Sequence, residues 1–217
     1  RGYITPQEFN LFANQAQLEI FEQYCYDINQ YNRSAGNETE YSDLVEVIDE
    51  KLDTFRANAV VALANGIGSL PTGLHKLGTV FTTTTSGLTE VDRVSPRDIP
   101  HIFGGPLTNP AFIGRYVYYT GQQGVNHVIY AYPQDNTSLN ITYIRKPNTV
   151  AWGWTVIGEK AMYDPNVTKT FNFELHPSEE TELVYRILGM AGVAIKRQEV
   201  AQAGIGMAQS QVQQEKQ

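Results

Sequence analysis

The sequence predicts an α+β protein: N-terminal helices, a central, mostly antiparallel β-sandwich or barrel, and a C-terminal helix with an extended tail. Three observations predict it. Apolar residues recur at helical spacing near both ends of the chain. Between them, residues 111–147 (AFIGRYVYYTGQQGVNHVIYAYPQDNTSLNITYIRKP) are rich in Val, Ile and Tyr and are broken by Gly and Pro, as strands and turns are. The 217 residues are 41% apolar and 18% charged, enough to bury a core and unlike a disordered chain.

The first helix is expected over about 6–31. Thr5-Pro6-Gln7-Glu8 is a capping box with proline at the first helical position. Phe9, Phe12, Leu18, Phe21, Tyr24, Ile28 and Tyr31 form its apolar stripe, expected to pack on the domain's own β-core. A breaker cluster, Ser34-Ala35-Gly36-Asn37, ends it. A second helix over 39–53 follows from Leu44, Ile48, Leu52 and Phe55. Its acidic residues Asp43, Glu46, Asp49, Glu50 and Asp53 match no calcium loop and read as a solvated face.

Residues 57–64 read as a strand, with a continued helix as the alternative, and Asn65-Gly66 as a hairpin turn into 67–70. Residues 77–85 and 88–94 form another hairpin around Ser86-Gly87, and Ser95-Pro96-Arg97-Asp98 starts a short helical turn. Three strands, 111–120, 125–132 and 139–146, then make a meander, with Gly121–Gly124 and Pro133–Asn136 as its turns. Residues 148–165 read as irregular, and 168–175 as a final strand through Phe171, Phe173 and Leu175. His176-Pro177-Ser178 precedes a helix that Ser178 would cap. Gly189 and Gly192 inside that helix imply close approach of another backbone. Beyond Lys196 the Gln-, Ala- and Gly-rich end has too little apolar surface to fold alone, and reads as frayed or ordered by a partner. The chain thus divides into a helical segment, 1–55, a β-domain, 56–176, and a C-terminal helix with tail, 177–217.

The net charge of −7 argues against broad binding to nucleic-acid phosphates. One cysteine, Cys25, excludes an intramolecular disulfide framework and reads as a structural thiol inside the first helix. No apolar run is long enough for a membrane helix, and no leader pattern opens the chain, which starts at Arg1 rather than at methionine. Five Asn-X-Ser/Thr patterns begin at Asn32, Asn37, Asn136, Asn140 and Asn166, and are read as chance in an Asn- and Thr-rich chain.

No residue set demands a chemistry. His75, His101, His127 and His176 are scattered, with no zinc-ligand spacing. Gly66-Ile67-Gly68 lacks the third glycine of a nucleotide fingerprint, and no phosphate loop or nucleophile elbow is present. The expectation is a protein with no catalytic residues, metal or cofactor. Trp152 and Trp154 would serve a sugar-binding face, and this leaves a carbohydrate-binding module of a tail or fibre protein as the alternative. A hydrolase on a β-domain is third and would need paired carboxylates in one cleft.

The order of these segments carries a resemblance. GYITPQEFNLFANQAQLEIFEQY, EYSDLVEVIDEKL, LPTGLHKLGTV, NITYIRKPNTVAW and FNFELHPSEETELVYRIL occur in succession along nearly the whole chain. In this the sequence resembles ring or adaptor proteins of the head–tail connector of short-tailed bacteriophages, notably crAss-like and related phages. The resemblance implies a non-enzymatic virion protein, about a dozen copies of which form a ring beneath the portal. It would be assembled in the host cytoplasm, contact portal and neighbouring tail proteins, and line the channel for passing DNA without reading its sequence, with no membrane partner. Trp152, Trp154, Gly189, Gly192, Met207 and Val212 are the expected interface positions.

Overall fold

The computed structural model describes residues 3–31, 39–84, 87–135, 137–164 and 169–215. The breaker cluster at 34–37, Ser86, and the Asn32, Asn37, Asn136 and Asn166 patterns lie outside the described residues. The fold is α+β, as the sequence predicts. Contacts divide the chain differently from the three expected stretches: Arg1–Thr54 joins Pro147–Gln217 in one compact unit, and Phe55–Lys146 forms the other.

The second unit is a β-unit of two four-stranded sheets. Its strands are β1 (Arg56–Ala62), β2 (Ile67–Ser69), β3 (Leu74–Thr84), β4 (Gly87–Glu90), β5 (Asp92–Arg93), β6 (Val117–Gln123), β7 (Asn126–Tyr132) and β8 (Ser138–Arg145). The sheets run β1-β8-β3-β4 and β2-β7-β6-β5, antiparallel except for β5 beside β6. Val61, Val80, Leu139 and Ile141 of the first sheet pack with Tyr118, Ile129 and Ala131 of the second in one buried cluster. This is the sandwich form of the expectation; the sheets do not close into a barrel.

Asn65 and Gly66 both take positive φ, 53° and 77°, so the predicted turn is of the primed type that suits a twisted hairpin. Its two strands nevertheless feed different sheets. The same happens at the expected meander. β6 and β7 pair, but β8 leaves them after the turn at Pro133 and lies between β1 and β3. The hairpin β6–β7 also extends further than its glycines suggest. Strand pairing continues to Gln123–Asn126, and the loop is only Gly124-Val125. Gly121 lies inside the strand, where a Cβ would stand 3.1 Å from the Tyr130 ring.

Residues 111–113 are not strand. Helix α4 (Pro110–Ile113) forms there, after α3 (Ile99–Gly104). The Asn109 side chain accepts a hydrogen bond from Ala111 N, Pro110 takes the first turn, and Gly114 ends it at φ 65°. Capping at both ends overrides the β-preference of Phe112 and Ile113.

The other unit is helical. It holds α1 (Pro6–Tyr31), α2 (Thr39–Asp53), α5 (Glu180–Ala194), α6 (Gln198–Glu215) and a ribbon of β9 (Trp154–Ile157) and β10 (Lys160–Tyr163). The capping box forms: Glu8 Oε2 accepts from Thr5 N at 2.9 Å, and Thr5 Oγ1 accepts from Glu8 N at 3.3 Å. Of the expected stripe of α1, Phe21 and Tyr24 are buried while Phe9, Phe12, Leu18 and Ile28 are half-buried; Ala13, Ala16 and Ile20 complete the buried face, and α1 packs on α5 and α2 of this unit. The ribbon occupies the stretch expected to be irregular. Gly158 and Glu159 both take positive φ, 58° and 63°, in a two-residue turn that lacks the usual Asn-Gly signature.

The expected strand at 168–175 is absent among the described residues apart from one bridge, Phe171 to Ala151. Side-chain hydrogen bonds tie this stretch down instead. Glu174 N donates to Gln17 Oε1, and Thr170 Oγ1 donates to Asp164 O and accepts from Gly153 N. Ser178 does not cap α5. His176 accepts from Ser178 N, a 3-10 turn (Pro177–Glu179) intervenes, and α5 begins at Glu180.

The C-terminal stretch is a helix, not an extended tail. α6 packs along α5, and the glycines are the reason. A Cβ on Gly192 would stand 2.8 Å from Ala201 Cα; one on Gly204 would stand 2.6 Å from Gly189 N. The backbone that Gly189 and Gly192 approach is therefore α6 of the same chain. Gly206, by contrast, faces open space. Gly192→Ala is expected to destabilise the helical unit by about 1–3 kcal/mol through overpacking against backbone. Gly206→Ala is expected to stabilise it, by up to about 1 kcal/mol of helix propensity. Denaturant unfolding followed by tryptophan fluorescence reads both, because Trp152 and Trp154 both lie in this unit. Equal effects at the two positions would contradict the crossing.

Candidate functional site

In the helical unit, α1 holds the chain segment after Pro147 by an amide ladder. Asn14 Nδ2 donates to Val150 O at 2.8 Å, and Asn14 Oδ1 accepts from Val150 N at 2.7 Å. Asn10 repeats this with Trp152, at 3.3 and 2.7 Å. Gln17 donates to Asn148 O at 2.8 Å and accepts from Glu174 N at 3.1 Å. The match is geometric. Four residues of helix rise about 6 Å, and two residues of extended chain span about 6.6 Å. Side chains at 10, 14 and 17 thus meet backbone at 152, 150 and 148, running antiparallel.

The ladder fixes Trp152. Its ring meets Phe9 edge-on at 6.3 Å and stacks on Tyr163 at 6.4 Å. Trp154 opens β9, opposite Tyr163 in the register. Both tryptophans are partly buried and engaged in the unit's own packing.

Charged groups tie the helices together from inside. Glu179 and Glu182 are almost fully buried. Lys51 Nζ of α2 lies 2.5 Å from Glu179 Oε1 and sits 5.6 Å from the centre of the Tyr24 ring. Arg186 Nε donates to Glu182 Oε1 at 2.6 Å, and its guanidinium reaches Glu19 and Gln23 of α1. Two of the carboxylates at the start of α5, Glu179 in the 3-10 turn and Glu182 in the first helical turn, thus point inward.

Above α5, between α1 and α6, a groove of about 700 Å³ stays open. Met190 and Val193 of α5 and Ile205, Ala208 and Val212 of α6 line its apolar part, with Glu19, Gln23 and Arg186 on the α1 side. Val184, Leu188, Val193, Ile205 and Met207 are large apolar side chains that α5 and α6 expose. Of the six expected interface positions, Val212 and Gly189 line the groove and Met207 lies exposed on α6. Gly192 is buried in the helix crossing, while Trp152 and Trp154 belong to the ladder and ribbon.

The β-unit presents aromatic side chains on the outer face of β6 and β7. Tyr119 stacks on Tyr130 at 4.6 Å and on Tyr132 at 6.3 Å, and Phe103 of α3 meets Tyr132 edge-on at 4.9 Å. Burial, with a hydrogen bond to Tyr132, pushes the Tyr119 phenol up to about 12. It stays neutral across the physiological range. Among the described residues no three His, Cys, Asp or Glu side chains converge as a metal site, and no helix is long and apolar enough to cross a membrane.

The amide ladder and the groove went unread in the sequence. The ladder had a signal: Asn10, Asn14 and Gln17 recur at helical spacing beside an apolar stripe. No protein-family model matches the chain, and no curated protein matches it.

Proposed function

We propose that the chain is a structural subunit of a ring in a phage head–tail connector, joining portal to tail around the DNA channel. The observation that carries this reading is the open apolar groove between α1, α5 and α6, with exposed Val184, Leu188 and Met207 on the same helices. Apolar surface of this kind on a folded chain marks a protein–protein contact. The groove is built on helices locked by buried ion pairs and glycine crossings, so it is preformed and needs little ordering on binding. The likeness of the segment order to connector ring proteins supplies the kind of assembly.

Quantitative peptide mass spectrometry on purified particles from the source tests the reading, by counting this chain against the major capsid protein. About a dozen copies per particle are expected for a ring at one vertex. Absence from the particles would overturn it, and hundreds of copies would make the chain a capsid or long-tail component instead.

A further inference from the structure

The two units carry opposite charge. The β-unit has seven Lys and Arg against four Asp and Glu, a formal +3; the helical unit has nine against nineteen, a formal −10. The groove belongs to the acidic unit. The β-unit carries an apolar projection of its own at 107–113. Leu107 is 86% exposed, Phe112 75% and Ile113 43%. The projection is held in shape rather than loose: Thr108 Oγ1 donates to Ile102 O at 2.8 Å, and Asn109 caps α4. A rigid loop that keeps three large apolar side chains in water is a preformed knob.

We infer that successive copies of this chain meet head to tail, with loop 107–113 of one copy seated in the α1–α5–α6 groove of the next. The occupant follows from charge and apolar character. A two-fold contact through the groove would set one −10 unit against another, whereas the head-to-tail contact sets −10 against +3. The groove offers apolar walls at Val193, Ile205 and Val212, and the knob offers Leu107, Phe112 and Ile113. Knob and groove are different surfaces, so a copy that uses them on two different neighbours makes a heterologous contact, and repetition closes into a ring or runs on as a filament. The contact deepens the ring reading proposed above and relies on it for closure.

Cysteine trapping on the full chain, in a Cys25→Ser background, tests the contact. Phe112→Cys combined with Val193→Cys is expected to give a ladder of disulfide-linked oligomers on mild oxidation. Phe112→Cys and Val193→Cys chains mixed as separate variants are expected to stop at dimers, because each pair leaves no second cysteine. Both positions are exposed, so folding is not at stake. Phe112→Cys with Leu88→Cys, an exposed apolar position on β4, is the control. No ladder, or one no stronger than the control, would overturn the inference, as would efficient dimers from Phe112→Cys alone. The particle count stands apart from this result. About a dozen copies without a ladder would remove the contact and leave the ring; a ladder with no copies in particles would do the reverse.

Discussion

Asn14→Leu is expected to destabilise the helical unit by about 2–5 kcal/mol, one of the two largest effects available to a single substitution here. Asn14 pairs with both the N–H and the C=O of Val150, a residue only 4% exposed. Leucine removes both bonds and leaves two backbone groups without partners in an apolar setting. Each such group costs about 1–3 kcal/mol. Leucine fills similar space, so little of the loss is offset or added by volume. The control is Gln15→Leu. Gln15 bonds only Glu19 on the exposed face, and its loss should cost under about 0.5 kcal/mol. Tryptophan fluorescence during denaturant unfolding reports the unit directly, since the ladder positions Trp152 next to the affected backbone. If the two variants shift the midpoint equally, the ladder does not hold segment 148–152.

That ladder also shows where the sequence was legible. Local rules carried far: the Thr5–Glu8 box, the Asn65-Gly66 turn, both long N-terminal elements and the glycine-marked close approach in α5 all follow from neighbours within four residues. Pairings between distant segments did not follow. Nothing near β8 says that it sits between β1 and β3 rather than beside β7, because its alternation of buried Leu139 and Ile141 suits either sheet. The expected strand at 168–175 failed for a related reason. Its alternation is real, but the Glu174 N–H goes to the Gln17 side chain and the Thr170 hydroxyl to the backbone of Gly153 and Asp164, and such side-chain bonds leave no trace in a period-two pattern. The C-terminal helix was unread because its stability resides in contact. Gly204 weakens the isolated helix, yet that same absence of a side chain lets α6 lie against α5. The groove could not be read at all, since α1, α5 and α6 lie far apart in sequence.

Lys51→Met should cost about 3–5 kcal/mol, the other of the largest effects. Glu179 is 0% exposed, and Lys51 is the cation that faces it, at 2.5 Å. Among the described residues, Ser178 Oγ also donates to the same oxygen, at 3.1 Å. Methionine keeps most of the side-chain length, but it removes the charge and with it the cation–π contact to the Tyr24 ring. The carboxylate is then left in the interior without its cation, and that desolvation penalty dominates the loss. The double variant Lys51→Met/Glu179→Met separates penalty from benefit. With both charges gone the site becomes apolar, and the double variant is expected to recover most of the stability lost by the single one. The coupling between the two positions is then positive and read from the same fluorescence transitions. A double variant that loses the sum of the two single losses would mean that the positions act independently, and α2 would be joined to the start of α5 by packing alone. A recovered double variant would instead make the pair a device of placement, fixing where α2 meets the 3-10 turn before α5 while adding little net stability. The groove-forming helix α5 would then take its position from a charge at its first turn and from glycines near its last, with apolar contact filling the space between.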